Sequence, residues 1–352
     1  MNTFLSSLKI PPKFQSFFQT YTDSRQTPEK RKKLRKEVNV YKRASHKPYR
    51  TVFFARNSSG ELDPKNAIAT IIIDHGLRGY AGLYEGYAEY LSTKGFNVII
   101  LDFPGHGKNP GEPCRIHHIK YFEECVGSAI VEARSLNPDI PTILISFSMG
   151  GLVVLQYLFD SAPHHIRRHI AGIACLGVPL EVGQDVPKWK LFLAPLIAWC
   201  LPWWKQKELC IGKDNINHDP VVVKEVMEDP MIYKGPLPAW TAYSIRKMAQ
   251  NVYSLLKNKG YRNLGIPMLF LRGELDTTAE REPYNRARIP VIDIPGFKHE
   301  ILKGADSDNV RNILDSWTEK VVLPSWNLSK QKNNLSKKFF KELSGKREEI
   351  VV

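Results

Sequence analysis

Cysteine is sparse: residues 114, 125, 175, 200 and 210 are an odd set with no close C-x-x-C pair. That spacing excludes a zinc ribbon and offers no disulfide framework, so free thiols in a reducing, cytoplasmic setting are expected. Long apolar runs are also missing. The longest candidate, Leu191 to Leu201, stops at Pro202, well short of the roughly 18 residues that a membrane span requires. Residues 1–18 have neither a basic leading region nor an apolar run ending in small residues, so no cleaved secretory signal is expected. Internal repeats are absent. No zinc-finger spacing or RNP-like aromatic motif occurs, and nucleic acid is not an expected partner. His117-His118 and His164-His165 lack a carboxylate or third ligand at helical spacing, so neither a metal nor another cofactor is expected.

What the chain does have is apolar content and unevenly placed charge. Of its 352 residues 43% are hydrophobic, enough for a large buried core, and the net charge is +14. Residues 1–50 hold 13 Lys/Arg against 3 Asp/Glu, residues 326–352 hold 7 against 3, and the middle holds 30 of each. The basicity therefore belongs to the two ends and not to the body. Such runs are ordinarily solvated arms. Attraction to an anionic lipid surface is the alternative, at about 1 kcal/mol for each well-placed Lys or Arg.

Short β-branched runs alternate with amphipathic helical patterns, which predicts a mostly parallel α/β sheet with helices on both faces. Strands are expected at Thr51–Ala55, Ala69–Asp74, Asn97–Asp102, Thr142–Ser146, His169–Leu176, Pro267–Arg272 and Val291–Ile294. Several of these are continuous apolar runs, as buried parallel strands require. Helices are expected near Tyr84–Thr93, Ile119–Leu136, Met149–Phe159 and Asp308–Val321. The alternation fails between Pro179 and Arg262, where Trp/Pro-rich clusters and a helical stretch at Trp240–Lys257 suggest an inserted cap. The expected organisation is a basic arm (1–45), a core (46–178 and 263–323), a cap (179–262) and a basic tail (324–352).

The segment ILISFSMGGLVV, residues 143–154, carries the chemistry. A strand that turns sharply into a helix exposes the side chain at its apex and needs small residues two positions to either side. Ser148 is at that apex, between Ser146 and Gly150. Ser146 stands at the strand end, where it cannot easily serve as nucleophile. A strand–elbow–helix nucleophile calls for a histidine after the last strand and an acid after the strand before it. Of ten histidines only His299 lies beyond residue 218, just past the final apolar run. Asp276 is the preferred acid, following the turn at Gly273, with Glu274 as the fallback. His75-Gly76-Leu77 directly follows a strand, so the backbone N–H groups of Leu77 and Met149 are the expected oxyanion donors, with His75 structural.

These pieces resemble the monoacylglycerol lipase and lysophospholipase branch of the α/β hydrolases, the serine aminopeptidase S33 or Hydrolase-4 group. The resemblance spans about residues 50–323 and rests on DHGLRGYAGLYEGYAEYL (74–91), DFPGHGKNPGEP (102–113) and SFSMGG (146–151). It continues in NHDPVVVKEVMEDPMIY (217–233), LFLRGELD (269–276) and PGFKHEIL (295–302). The chain departs from the group's pattern at Ser146 and Phe147, where Gly-His is usual, and at Arg78 to Tyr80 and Leu83. DFPGHG is taken as a structural turn.

The resemblance implies an α/β-hydrolase fold and hydrolysis of carboxylic esters of small lipid-like substrates such as a monoacylglycerol or lysophospholipid. It also implies a cap that lines an acyl tunnel and touches membranes. Trp189, Trp199, Trp203 and Trp204 are the candidate substrate-binding residues, although an aromatic-apolar stripe of this kind more often packs a cap onto its body. The alternatives are acyl transfer or thioester cleavage by the same triad, and a hydrolase fold kept only for binding. Nothing in the sequence bears on the oligomeric state.

Overall fold

Apolar β-branched runs form the sheet where the sequence predicts them. The computed structural model describes residues 36–37, 49–183, 186–206 and 213–330; of these, the side chains of 36–37, 188–190, 206, 213 and 305 are not described. The basic arm expected at 1–45 lies outside the described residues apart from 36–37, as do Cys210 and residues 331–352 of the tail. Strands β1 (Lys36–Glu37), β2 (Arg50–Phe53), β3 (Thr70–Asp74), β4 (Asn97–Leu101), β5 (Thr142–Phe147) and β6 (Ile170–Leu176) come first. After a long insertion, β9 (Met268–Gly273) and β10 (Ile292–Ile294) complete the sheet. Their order is β1-β2-β4-β3-β5-β6-β9-β10. The pairs from β4 to β10 are parallel, and β2 runs antiparallel to β4. This is the expected α/β-hydrolase architecture.

Alternation along each strand supplies two cores. Ile72, Ile99 and Leu144 face one side, where α2 (Ile119–Leu136) and α3 (Met149–Gln156) pack. Ile71, Ile73, Val98 and Ile100 face the other, against α1 (Glu85–Thr93) and α7 (Asp308–Trp317). Because side chains alternate across a strand, both faces must be apolar, and the strands read as unbroken apolar runs. Every residue of α3 is buried, as its lack of a polar stripe demands. The first and last predicted helices hold their places, while α3 and α7 each end in a wider turn, Tyr157–Ser161 and Thr318–Val322. Residues 323–330 then continue as helix, and Trp326 packs on the second core.

The insertion between β6 and β9 holds α4 (Lys188–Cys200), β7 (Lys205–Gln206), α5 (Pro220–Glu228), β8 (Leu237–Pro238) and α6 (Ala239–Lys259). The two short strands β7 and β8 pair antiparallel where no strand was expected. Ile245, Met248, Ala249 and Val252 of α6 join the core over α3. The aromatic stripe expected to pack against the body instead points outward along α4. Phe192 is 83% exposed, Trp199 76%, Trp203 61% and Trp204 50%; the side chain of Trp189 lies outside the described residues. The cause is geometric. From Leu191 onward α4 is apolar on every flank and needs cover all round, and of its described side chains only Ala198 and the half-buried Leu191, Ala194 and Ile197 turn inward.

Core burial sets a stability test. Leu152 is fully buried in α3, so Leu152→Ala should cost about 2–5 kcal/mol in urea unfolding through lost transfer energy and a residual cavity. Leu328→Ala, at an exposed site, should change stability by less than about 0.5 kcal/mol.

Candidate active site

Strand β5 delivers Ser148 to a turn that few L-residues adopt, with φ 50° and ψ −118°. A non-glycine residue held there costs roughly 1–3 kcal/mol and persists only where its surroundings enforce it. Here the Ser148 N–H donates to Leu176 O at 2.8 Å, and its carbonyl accepts from the Leu152 N–H at 3.3 Å. The helix leaves so close to the end of β3 that a Cβ on Gly150 would lie 2.7 Å from His75 O and 2.8 Å from Asp74 O. A Cβ on Gly151 would stand 2.3 Å from Val178 Cγ2. The paired glycines after Ser-Met are therefore a steric requirement.

Ser148, His299 and Asp276 meet at one point. His299 Nε2 is 2.9 Å from Ser148 Oγ, and His299 Nδ1 is 2.8 Å from Asp276 Oδ2. Asp276 Oδ1 accepts the N–H groups of Thr278 (2.8 Å) and Ala279 (3.0 Å), which leaves Oδ2 for the imidazole. Burial alone would raise the Asp276 carboxyl. The adjacent His299 and these hydrogen bonds outweigh it and hold the group below its ordinary value. Burial likewise opposes charge on His299, but the Asp276 charge and hydrogen bond, with Glu300 behind them, leave the imidazole above its ordinary value. A serine hydroxyl, a base and a buried carboxylate in this order can pass a proton from oxygen to imidazole and hold the imidazolium that results.

The other predicted residues are placed as follows. Gly76 packs against Ser148, since an added Cβ would be 3.0 Å from Ser148 Cβ. Among the described residues no backbone carbonyl takes the N–H of Leu77 or Met149. His75 is buried and bonded at both nitrogens, accepting the Phe103 N–H at Nε2 (3.0 Å) and facing Gly76 O from Nδ1 (2.7 Å). Burial, with His106 beside it, keeps this ring neutral. Ser146 Oγ donates to Asp74 Oδ2 at 2.9 Å and does not reach the imidazole. Glu274 is exposed, and its carboxylate accepts the Gly296 N–H at 3.0 Å. Asp102 braces the DFPGHG turn, accepting from the N–H groups of Ala81 (2.6 Å) and Lys108 (2.8 Å).

The family model described as serine aminopeptidase S33 (Hydrolase_4) matches residues 65–306. This chain belongs to that family. It is 24% identical over 265 residues to a monoacylglycerol lipase of Mycolicibacterium smegmatis, covering 73% of this chain and 89% of that one. Human monoglyceride lipase is 22% identical over 211 residues, 59% of this chain and 65% of that one. Among solved structures, a soluble variant of the Saccharomyces cerevisiae monoglyceride lipase, bound to a substrate analogue, aligns with a TM-score of 0.68 at 18% identity. That alignment covers 85% of this chain and 97% of the yeast one.

Several residues that position the site in this S33-family chain escaped the sequence-level search. Buried Arg272, on β9, donates to the carbonyls of Ala279 (2.6 Å), Asp276 (2.9 Å) and Glu274 (3.2 Å), and pairs with Asp293 at 2.8 Å. It holds the whole acid loop in shape. A charge inside the apolar run MLFLRG was the available signal. Buried Asn217 donates to Glu300 O at 2.6 Å, while the N–H of Glu300 donates to Ile216 O at 2.8 Å. The insertion thus fixes the backbone that carries His299. Phe147, one of the departures from the family pattern, sets its ring 5.0 Å from the imidazole. Nothing local to either segment announces these partners.

The electrostatics make a direct test. Titrated by NMR, the His299 ring should ionise above the ordinary histidine value in the parent protein. In Asp276→Asn the charge that raises it is gone while burial still opposes the imidazolium, so its midpoint should fall below that value. Equal midpoints in the two proteins would sever the pair.

Proposed function

We propose that this chain is a serine hydrolase that cleaves carboxylic esters with a lipid-like acyl chain through an acyl-enzyme on Ser148. The observation that carries this is the continuous hydrogen-bonded line from Ser148 Oγ through His299 to Asp276. His299 takes the hydroxyl proton as Ser148 attacks the ester carbonyl, then gives it to the departing alcohol oxygen. Asp276 keeps Nδ1 protonated and offsets the imidazolium charge. The N–H groups of Leu77 and Met149 take the developing oxyanion, and a preorganised donor of this kind is worth about 3–4 kcal/mol. Water activated by His299 then releases the acid and restores Ser148.

The lipid character of the substrate is supported by the relatives named as monoacylglycerol or monoglyceride lipases and by the insertion at 179–262, which we read as a cap. Its helix α4 presents Phe192, Leu196 and Trp199 to the outside, continued by Trp203 and Trp204. An exposed apolar surface of this kind marks a contact with membrane or ligand. Tryptophan suits a water–lipid boundary, since its ring is apolar and its N–H polar. The exposed Lys205 beside it can stay at the headgroups of an anionic surface. No described helix is long and apolar enough to cross a membrane, so the contact is peripheral.

Ser148→Ala should abolish hydrolysis of p-nitrophenyl esters and labelling by a fluorophosphonate, whereas Ser146→Ala should keep both at least in part. The reverse pattern in folded protein would move the nucleophile. His299→Ala and Asp276→Asn should each lose several powers of ten in rate, and the double variant should be little worse than the worse single, because a triad acts as a unit.

The cap has its own test. The protein should sediment with anionic vesicles, much less with neutral ones, and less as salt rises. Replacing Trp203 and Trp204 by Ala should lower vesicle binding and long-chain ester turnover and spare short soluble esters. Binding that ignores both lipid charge and these residues would reduce α4 to packed structure.

A further inference from the structure

Arg78 occupies a backbone position that belongs to glycine, and its side chain explains why. Residues 76–79 form a tight turn closed by the Gly79 N–H on Gly76 O at 3.1 Å, with Arg78 third at φ 70°. That region disfavours any side chain with a Cβ. The turn begins at Gly76, packed on Ser148, and its second residue is Leu77, the proposed oxyanion donor.

From this turn the Arg78 guanidinium reaches into the insertion. It donates to Tyr233 O at 2.7 Å and Gly235 O at 2.8 Å, and lies 5.5 Å from the Tyr233 ring centre. Two residues on, the Tyr80 hydroxyl donates to Asp229 Oδ2 at 2.7 Å. Tyr80 and Leu83 also pack on a small separate core of Val222, Val226 and Ile232. Arg78, Tyr80 and Leu83 are positions where the sequence leaves its family's pattern, and all of them face one strap, residues 229–235, and the helix α5 before it.

We propose that Arg78 is the positioning residue of the oxyanion backbone, a latch that holds the Leu77 N–H in place by gripping the strap at 229–235. Tyr80 is its second, weaker tie. The donor is in position only while the strap is seated, so the cap takes part in the chemical step and not only in substrate entry. This rests on the serine-hydrolase mechanism proposed above.

Arg78→Gly separates latch from backbone, since glycine accepts the positive φ without strain and the loop can still fold. With active sites counted by fluorophosphonate titration of the full chain, kcat on a short p-nitrophenyl ester should fall about tenfold, because the lost contact serves the transition state. KM should stay within about twofold. The inhibition constant of a trifluoromethyl ketone, which needs the same oxyanion donors, should rise by the same factor as kcat falls. Arg78→Lys should recover part of the loss, and Tyr80→Phe should show a smaller one. Amide exchange should quicken in Arg78→Gly over residues 76–80 and 229–235 together. Unchanged kcat, a loss confined to KM, or unchanged exchange in both segments would overturn the latch. If the parent protein neither takes the fluorophosphonate nor turns over the ester, the hydrolase mechanism falls, and amide exchange still decides whether the latch exists.

Discussion

The close crossing of helix α3 over the end of β3, at Gly150, is the constraint on which the other features depend. A Cβ there would lie within 2.8 Å of two carbonyl oxygens, so the strand-to-helix turn can be this sharp only with glycine. The sharp turn forces Ser148 to φ 50° and lifts its hydroxyl out of the sheet. The same closeness brings the loop after β3, at Gly76, beside Ser148. It also commits α3 to full burial, with sheet on one flank and α6 on the other. Relaxing this one approach would lose the sharp turn at Ser148 and its packing on Gly76 at once.

Around that rigid centre the loops are held by buried polar side chains that donate to carbonyls. Arg272 gathers the loop after β9, Asn217 the loop that carries His299, and Arg78 ties the turn at 76–79 to residues 233–235. The device is economical in physical terms. Loop carbonyls have no sheet or helix partners, and a buried acceptor left unpaired costs about 1–3 kcal/mol. A guanidinium, with its fixed fork of donors, can satisfy several at once and fix their relative positions. Gly273 shows how tight the assembly is, since a Cβ there would lie 2.0 Å from Lys298 O, on the loop that carries His299.

The insertion between β6 and β9 touches the site from two directions. Residues 215–217 pair with the backbone at His299 and Glu300, and residues 229–235 hold Arg78 and Tyr80 at the turn after β3. Its other flank, α4, is left largely uncovered. A segment tied to both sides of the site at Ser148 while exposing an apolar surface outward joins that surface to the site through hydrogen bonds.

The sheet and the three side chains that meet at Ser148 were legible in the sequence because both rest on local pattern. Buried parallel strands demand continuous apolar runs, so their positions followed to within two residues. The elbow needs small residues at fixed spacing around one serine, and a single histidine lay beyond the last strand. The choice between Asp276 and Glu274 was not local, and it is the tertiary structure that aims one carboxylate inward and leaves the other exposed. The direction of the α4 stripe was equally out of reach, because an all-round apolar helix looks the same whether covered or bare. Arg272, Asn217 and Arg78 act across separations of up to 157 residues in the case of Arg78 and Gly235. Their partners are backbone carbonyls, which every residue carries. No sequence pattern marks one carbonyl from another, so only the folded chain decides which of them a buried side chain will hold.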